Sequence, residues 1–232
     1  MKQTIILLHG ALGYRGQFAG LESKLARKFR VLAFNFSGHG GAPQPEPPSI
    51  SLYTDELKRF ILEHRAQGCG LFGHSMGGYV ALCLAAKEPG LVGKVFTLGT
   101  KMDWSPEVAS REAQMLVPEK IKEKLPGFAG HLRNLHGDWE TLALQVAGML
   151  REMGAQPPLT DQLAAGISCP VRLGLGDRDK MVSPGETLRV FRLLQKGSLL
   201  VLPGTPHPYD TVNVERLYAE CLDFFPDKAA KD

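Results

Sequence analysis

The chain has 232 residues, 44% of them hydrophobic and 22% charged, with a formal net charge of +3. Those proportions describe a globular chain able to bury a large core without disulfide or metal staples. A net charge this small, with no run of Lys or Arg, excludes a nucleic-acid footprint.

The opening stretch, MKQTIILLHG, holds one lysine and four consecutive apolar residues before a histidine. That run is too short for a signal peptide or a membrane span, so the protein is expected to be cytoplasmic. TIILLH at 4–9 predicts the first strand, and GLESKLARKF at 20–29 a helix with apolar residues at 3–4 spacing. VLAFNF at 31–36 predicts the second strand, followed by a tight loop, FSGHGGAP, and a Pro-rich surface loop, GAPQPEPPS at 41–49. SLYTDELKRFILEH at 51–64 predicts a second helix, CGLFGH at 69–74 the third strand, and YVALCLAAKEPG at 79–90 a helix that is apolar nearly all round. VFTLGT at 95–100, VRLGLG at 171–176 and SLLVLP at 198–203 predict three further strands, and VERLYAECLDFF at 214–225 a closing helix. Near-continuous apolar runs of four to six residues are those of strands buried on both faces. Their alternation with helices predicts an α/β fold: a mostly parallel, doubly wound sheet of about six strands with helices on both faces. No internal repeat or interdomain linker interrupts it.

One interval breaks the alternation. From residue 101 to 168 only helical segments occur: SPEVASREAQMLV, PEKIKEKLPGF, HLRNL, WETLALQVAGMLREMG and LTDQLAAGI. Ordinary connections are far shorter, so 101–168 reads as a helical cap inserted into a single core made of 1–100 and 169–232. EKIKEKL at 119–125 alternates acids with bases and reads as a solvated helix face. Both tryptophans, Trp104 and Trp139, and four methionines, Met102, Met115, Met149 and Met153, fall in the cap. They either pack it onto the core or line an apolar substrate pocket. Met102, Trp104 and Met149, with Leu12 and Met181 from the core, are the candidates for the pocket. The four cysteines, Cys69, Cys83, Cys169 and Cys221, lie far apart, each within or beside apolar sequence and without metal-ligand spacing, as buried free thiols of a reducing compartment do.

GLFGHSMGGYVALCLAA at 70–86 carries the chemistry. Ser75 stands between a buried strand and a buried helix, with glycines at 73, 77 and 78. A serine at the tip of such a strand–turn–helix takes a strained backbone and needs neighbours with almost no side chain. A serine hydroxyl needs a positioned base, itself oriented by a carboxylate, to act as a nucleophile. LGLGDRDKMVSP, after the fifth strand, offers Asp177 and Asp179; LPGTPHPYD, after the sixth, offers His207.

With these motifs in this order, the chain resembles the α/β-hydrolase fold family over nearly its whole length. HGALG at 9–13 resembles the family's oxyanion loop, GHSMGG at 73–78 its nucleophile elbow, GDRDKMV at 176–182 its acid turn and GTPHP at 204–208 its histidine loop. The family pattern selects Asp179, three residues beyond Gly176, with Asp177 and Asp103 as alternatives. It implies a catalytic triad of Ser75, Asp179 and His207. It also implies an oxyanion hole from the Ala11 and Met76 amides, with Leu12 as the fallback for Ala11. His9 and His74 are expected to tie loops together beside the site; Asn35 and Ser37 replace an Asp and an Arg common in relatives. No metal or organic cofactor is implied, and the partner is a small-molecule acyl substrate. The activity implied is hydrolysis of a small-to-medium carboxylic ester through an acyl-enzyme. Relatives with the same triad also hydrolyse carbon–carbon bonds or carry out the lyase step of menaquinone biosynthesis. That last reading needs cations, of which Arg15, Lys101, Arg111 and Arg151 are candidates, around a carboxylate-rich substrate. A catalytically silent receptor for a small ligand is the remaining alternative. Oligomeric state has no signature in the sequence.

Overall fold

The computed structural model describes residues 2–226. Six strands form one sheet: β1 (Thr4–Leu8), β2 (Arg30–Ala33), β3 (Cys69–His74), β4 (Val92–Leu98), β5 (Val171–Gly176) and β6 (Gly197–Leu202). They lie in the order β2-β1-β3-β4-β5-β6, and every neighbouring pair is parallel. Side chains alternate between the faces, apart from an irregularity in the β3–β4 pairing at Cys69/Gly70. Ile5, Leu7, Phe72 and Phe96 face α1 (Ala19–Leu25) and α10 (Val214–Phe224), whose Leu21, Leu25, Leu217 and Cys221 complete that half of the core. Ile6, Leu8, Leu71, Val95 and Leu173 face the other way, against α2 (Ile50–Glu63) and α3 (Met76–Lys87).

Local sequence explains most of the helices. Ser49 caps α2, its hydroxyl accepting from Leu52 N at 3.0 Å, and Ile50, Tyr53, Leu57 and Ile61 bury one stripe at 3–4 spacing. α3 is buried from Met76 to Ala85 because it lies between the sheet and α2 and is apolar on every side.

Between β4 and β5 come α4 (Pro106–Gln114), α5 (Pro118–Lys124), α6 (Pro126–His136), α7 (Trp139–Ala155) and α8 (Asp161–Ala165). α5 and α6 are separate because Pro126 cannot extend the helix before it. α5 buries only Pro118 and Ile121, so most of its charged face is in water. α4 and α7 pack closely, Gly154 leaving no room for a Cβ beside Ala109.

Several elements differ from the sequence reading: β4 starts at Val92 rather than at residue 95, and α1 ends at Leu25 rather than at residue 29. β2 ends at Ala33 rather than at residue 36, because the chain beyond it turns to bond elsewhere: Phe36 N donates to His9 Nε2 at 3.2 Å. α9 (Pro184–Phe191) adds a helix between β5 and β6, started by a capping box in which Ser183 and Glu186 each bond the other's backbone N–H. No helix among the described residues is long and apolar enough to cross a membrane. All four cysteines are free, and burial pushes the Cys69 and Cys83 thiols up to about 12.

Candidate active site

Ser75 is the single residue between β3 and α3, with φ 51° and ψ −117°. A side chain in that region costs about 1–3 kcal/mol and persists only where the surroundings over-determine it. Here they do. Ser75 N donates to Leu98 O at 2.9 Å, and Ser75 O accepts from Gly78 N, Tyr79 N and the Thr100 hydroxyl at 3.0–3.2 Å. The turn closes so tightly that a Cβ on Gly73 would overlap the backbone of Gly77 and Gly78, and one on Gly77 would overlap Leu8 O. Three glycines around the serine are therefore a packing requirement.

The turn aims the Ser75 hydroxyl at the loop after β6. Ser75 Oγ donates to His207 Nε2 at 3.2 Å, and His207 Nδ1 donates to Asp179 Oδ2 at 2.7 Å. Asp179 sits in the turn after β5, and its other oxygen, Oδ1, accepts from the backbone N–H of Met181 at 2.8 Å and of Val182 at 2.9 Å. Burial alone would raise the Asp179 carboxyl. The hydrogen bond and charge of His207, with those two amides, outweigh it and hold the group below its ordinary value. Gly99, at φ +62°, lies against the pair: a Cβ there would stand 3.2 Å from Asp179 Oδ2 and 3.3 Å from His207 Nδ1. His74 Nε2 donates to the His207 carbonyl at 3.0 Å and fixes the histidine loop from below. Burial, and next the neighbouring His207, bring His74 down to about 4.

The two alternative acids are engaged elsewhere. Asp177 accepts from Thr205 N at 3.2 Å, and Asp103 accepts from Arg189 Nε and Nη2 at 3.0 and 2.7 Å.

The turn after β1 lies against the serine, since a Cβ on Gly10 would stand 3.1 Å from Ser75 Cβ. Gly13 N donates to Gly10 O at 3.0 Å, and only Leu12 of the two central residues has positive φ, +55°. That combination is a type II β-turn, normally given to glycine at this position. The amides of Ala11 and Leu12 find no acceptor among the described residues. The Met76 amide is one of the unpaired donors that open α3. Both groups of donors lie next to Ser75 and suit a developing negative charge.

Neutral imidazoles hold this turn. His9 donates from Nδ1 to Gly10 O at 2.8 Å and accepts Phe36 N–H at Nε2, a pattern only the neutral ring can make. Burial, then the nearby His39, keep it well below its ordinary value. His136, at the end of α6, accepts from Gly40 N at 2.8 Å and donates to Leu12 O at 3.0 Å. No local sequence pattern links positions 12, 40 and 136. Asn35 bonds Arg15 N and Gly40 O, and Ser37 bonds Glu56.

The apolar pocket candidates divide. Met102 and Trp104 line an open cavity of about 470 Å³ with Val108, Leu159 and Arg189. Leu12 and Met149 are buried, and Met181 is exposed on the acid turn. Among the candidate cations, Lys101 donates to Met181 O at 2.7 Å and lies 3.6–3.7 Å from Glu112 and Glu186, while Arg15, Arg111 and Arg151 are exposed.

A family model for the alpha/beta hydrolase fold matches residues 3–136. A 2-(acetamidomethylene)succinate hydrolase of Mesorhizobium japonicum (strain LMG 29417 / CECT 9101 / MAFF 303099) is 24% identical over 237 residues, spanning 91% of this chain and 84% of its own. A pimeloyl-[acyl-carrier protein] methyl ester esterase of Nitrosospira multiformis is 26% identical over 239 residues, spanning 88% and 87%. The enol-lactonase of Burkholderia xenovorans LB400 shares the fold at a TM-score of 0.79 and 18% identity, over 97% of this chain and 91% of that one. The family match runs through β1, the turn behind it, β3, Ser75 and α3, more than half of the sequence, and the chain belongs to the alpha/beta hydrolase family.

Proposed function

We propose that this protein is a serine hydrolase of small-to-medium carboxylic esters, with α4–α8 as a cap over the site. The observation that carries the reading is the unbroken line from Ser75 Oγ to His207 Nε2 (3.2 Å) and from His207 Nδ1 to Asp179 Oδ2 (2.7 Å). Asp179 fixes the tautomer that leaves the Nε2 lone pair facing the serine. His207 takes the Ser75 proton as Oγ attacks the carbonyl carbon, and Asp179 stabilises the imidazolium that results. The tetrahedral oxyanion rests on the Met76 amide and on the Ala11 amide or, failing that, the Leu12 amide. Collapse expels the alcohol, protonated by His207, and leaves an acyl-serine. Water deprotonated by His207 then hydrolyses the acyl group and restores Ser75.

The relatives support a hydrolase in general, and an ester in one case by name. The lyase reading is weaker, because Lys101, one of its candidate cations, spends its ammonium group on the Met181 carbonyl between two glutamates. Hydrolysis of p-nitrophenyl esters from acetate to laurate tests the proposal. Turnover with a chain-length optimum, abolished in Ser75→Ala, is the expected result. Equal turnover in the variant refutes it.

A further inference from the structure

Leu12 occupies a backbone conformation that a leucine does not choose, at φ +55°, in the turn that presents amides to Ser75. Something must hold it there. The turn's own hydrogen bond, Gly13 N to Gly10 O, fixes its ends but not the Leu12 carbonyl. That carbonyl is held from outside the turn and 124 positions away in sequence, by His136 Nε2 at 3.0 Å. His136 is the last residue of α6, and the helix stops there as Gly137 turns to φ +68°. Its other nitrogen accepts the Gly40 N–H at 2.8 Å, so the proton must sit on Nε2 and point at Leu12. The ring is therefore oriented at both ends. Burial lowers its basicity and favours the neutral form that this pattern requires. Gly40 belongs to the loop that Asn35 fastens to Arg15 N, just beyond the turn. One imidazole thus joins a helix of the cap, the loop after β2 and the strained turn.

We propose that His136 is a positioning residue: through the Leu12 carbonyl it holds the oxyanion turn in register with Ser75, so that the turn is competent only while α6 is seated on the core. The inference rests on the serine-hydrolase reading of the site. His136 touches no reacting atom; it sets where the Ala11 and Leu12 amides point.

Two substitutions separate its bonds. His136→Gln carries a nitrogen near the Nε2 position and keeps a donor for Leu12. His136→Asn carries its polar atoms near the Nδ1 position, keeps the Gly40 partner and loses Leu12. Each is compared with wild type for ester kcat and KM, for thermal midpoint, and for binding of an aryl trifluoromethyl ketone, whose serine adduct carries an oxyanion. In His136→Asn, kcat is expected to fall about 10- to 100-fold, the loss typical of a small displacement of preorganised groups. KM stays within about threefold of wild type, a shift too small to account for that loss, and ketone affinity falls in step with kcat. His136→Gln retains most of both. The proposal is overturned if His136→Asn matches wild type in kcat and ketone binding, or if both variants lose activity equally and only in proportion to lost thermal stability. A wild type without Ser75-dependent turnover or ketone binding is a different outcome: it defeats the reading of the site, and this inference with it.

Discussion

Two aspartates two positions apart illustrate what decides a role at the residue scale. Asp179 has one oxygen on His207 and the other on two backbone amides; Asp177 has a single bond, to Thr205 N. Asp179→Asn would let the side-chain amide favour the wrong His207 tautomer, and kcat is expected to drop by about 10⁴-fold. Asp177→Asn keeps an oxygen that accepts from Thr205 N and loses only the charge of an exposed side chain, so kcat should stay within about tenfold. Steady-state kinetics of the two variants checks the assignment, and a larger loss in Asp177→Asn would reverse it. The spacing from Gly176 to Asp179 is visible in the sequence, as are Ser75 and His207. The Leu12 strain and the His136 bond are not, because no local pattern marks a leucine at positive φ or a partner 124 residues away.

Elements were legible where their burial is one-sided or complete. The four inner strands are apolar runs because a strand inside a parallel sheet buries both faces; the edge strands β2 and β6 do not, and Leu199 and Val201 of β6 are exposed, yet all six runs became strands. α9 was harder to read. It has eight residues, and its clearest sequence sign is the S-x-x-E start formed by Ser183 and Glu186. Glu186 also explains why long-range polar contacts escape sequence reading. One oxygen caps α9 through Ser183 N, and the other accepts from Met102 N and Asp103 N at 2.8 and 3.0 Å, fastening α9 to the exit of β4. Lys101, read from sequence as a possible clamp for substrate carboxylates, is instead held beside Glu186 and Glu112 with its ammonium on the acid turn. A cation's neighbours 11 and 85 positions away leave no periodic signal.

At the scale of the molecule, the buried histidines make stability depend on pH. Burial, before any neighbour, brings His39 and His74 down to about 4. In the unfolded chain each takes its proton near 6.5. Between about pH 6.5 and 4 the unfolded state therefore binds more protons, and stability falls as pH falls through that window. The loss approaches about 3 kcal/mol for each of the two rings by pH 4. Asp179 is shifted in the same direction, below its ordinary value, and adds to the same trend. Its depressed value contributes stability above the ordinary carboxylate range, and this is lost as pH falls through the folded value. Urea midpoints measured from pH 7.5 to 5 should drop steadily, and a flat profile would contradict this account. The fold, the sheet and the family were readable from the sequence because they follow from repeated local patterns. The pocket was not, because it depends on how the helices between β4 and β5 pack against one another and against the rest of the chain. The central claim, that Ser75 is the nucleophile, is tested most directly by treating the protein with an alkyl fluorophosphonate and measuring intact mass. The account predicts one phosphonyl adduct with loss of fluoride, mapped to Ser75 and absent from Ser75→Ala. No adduct, or an adduct on another residue, would contradict it.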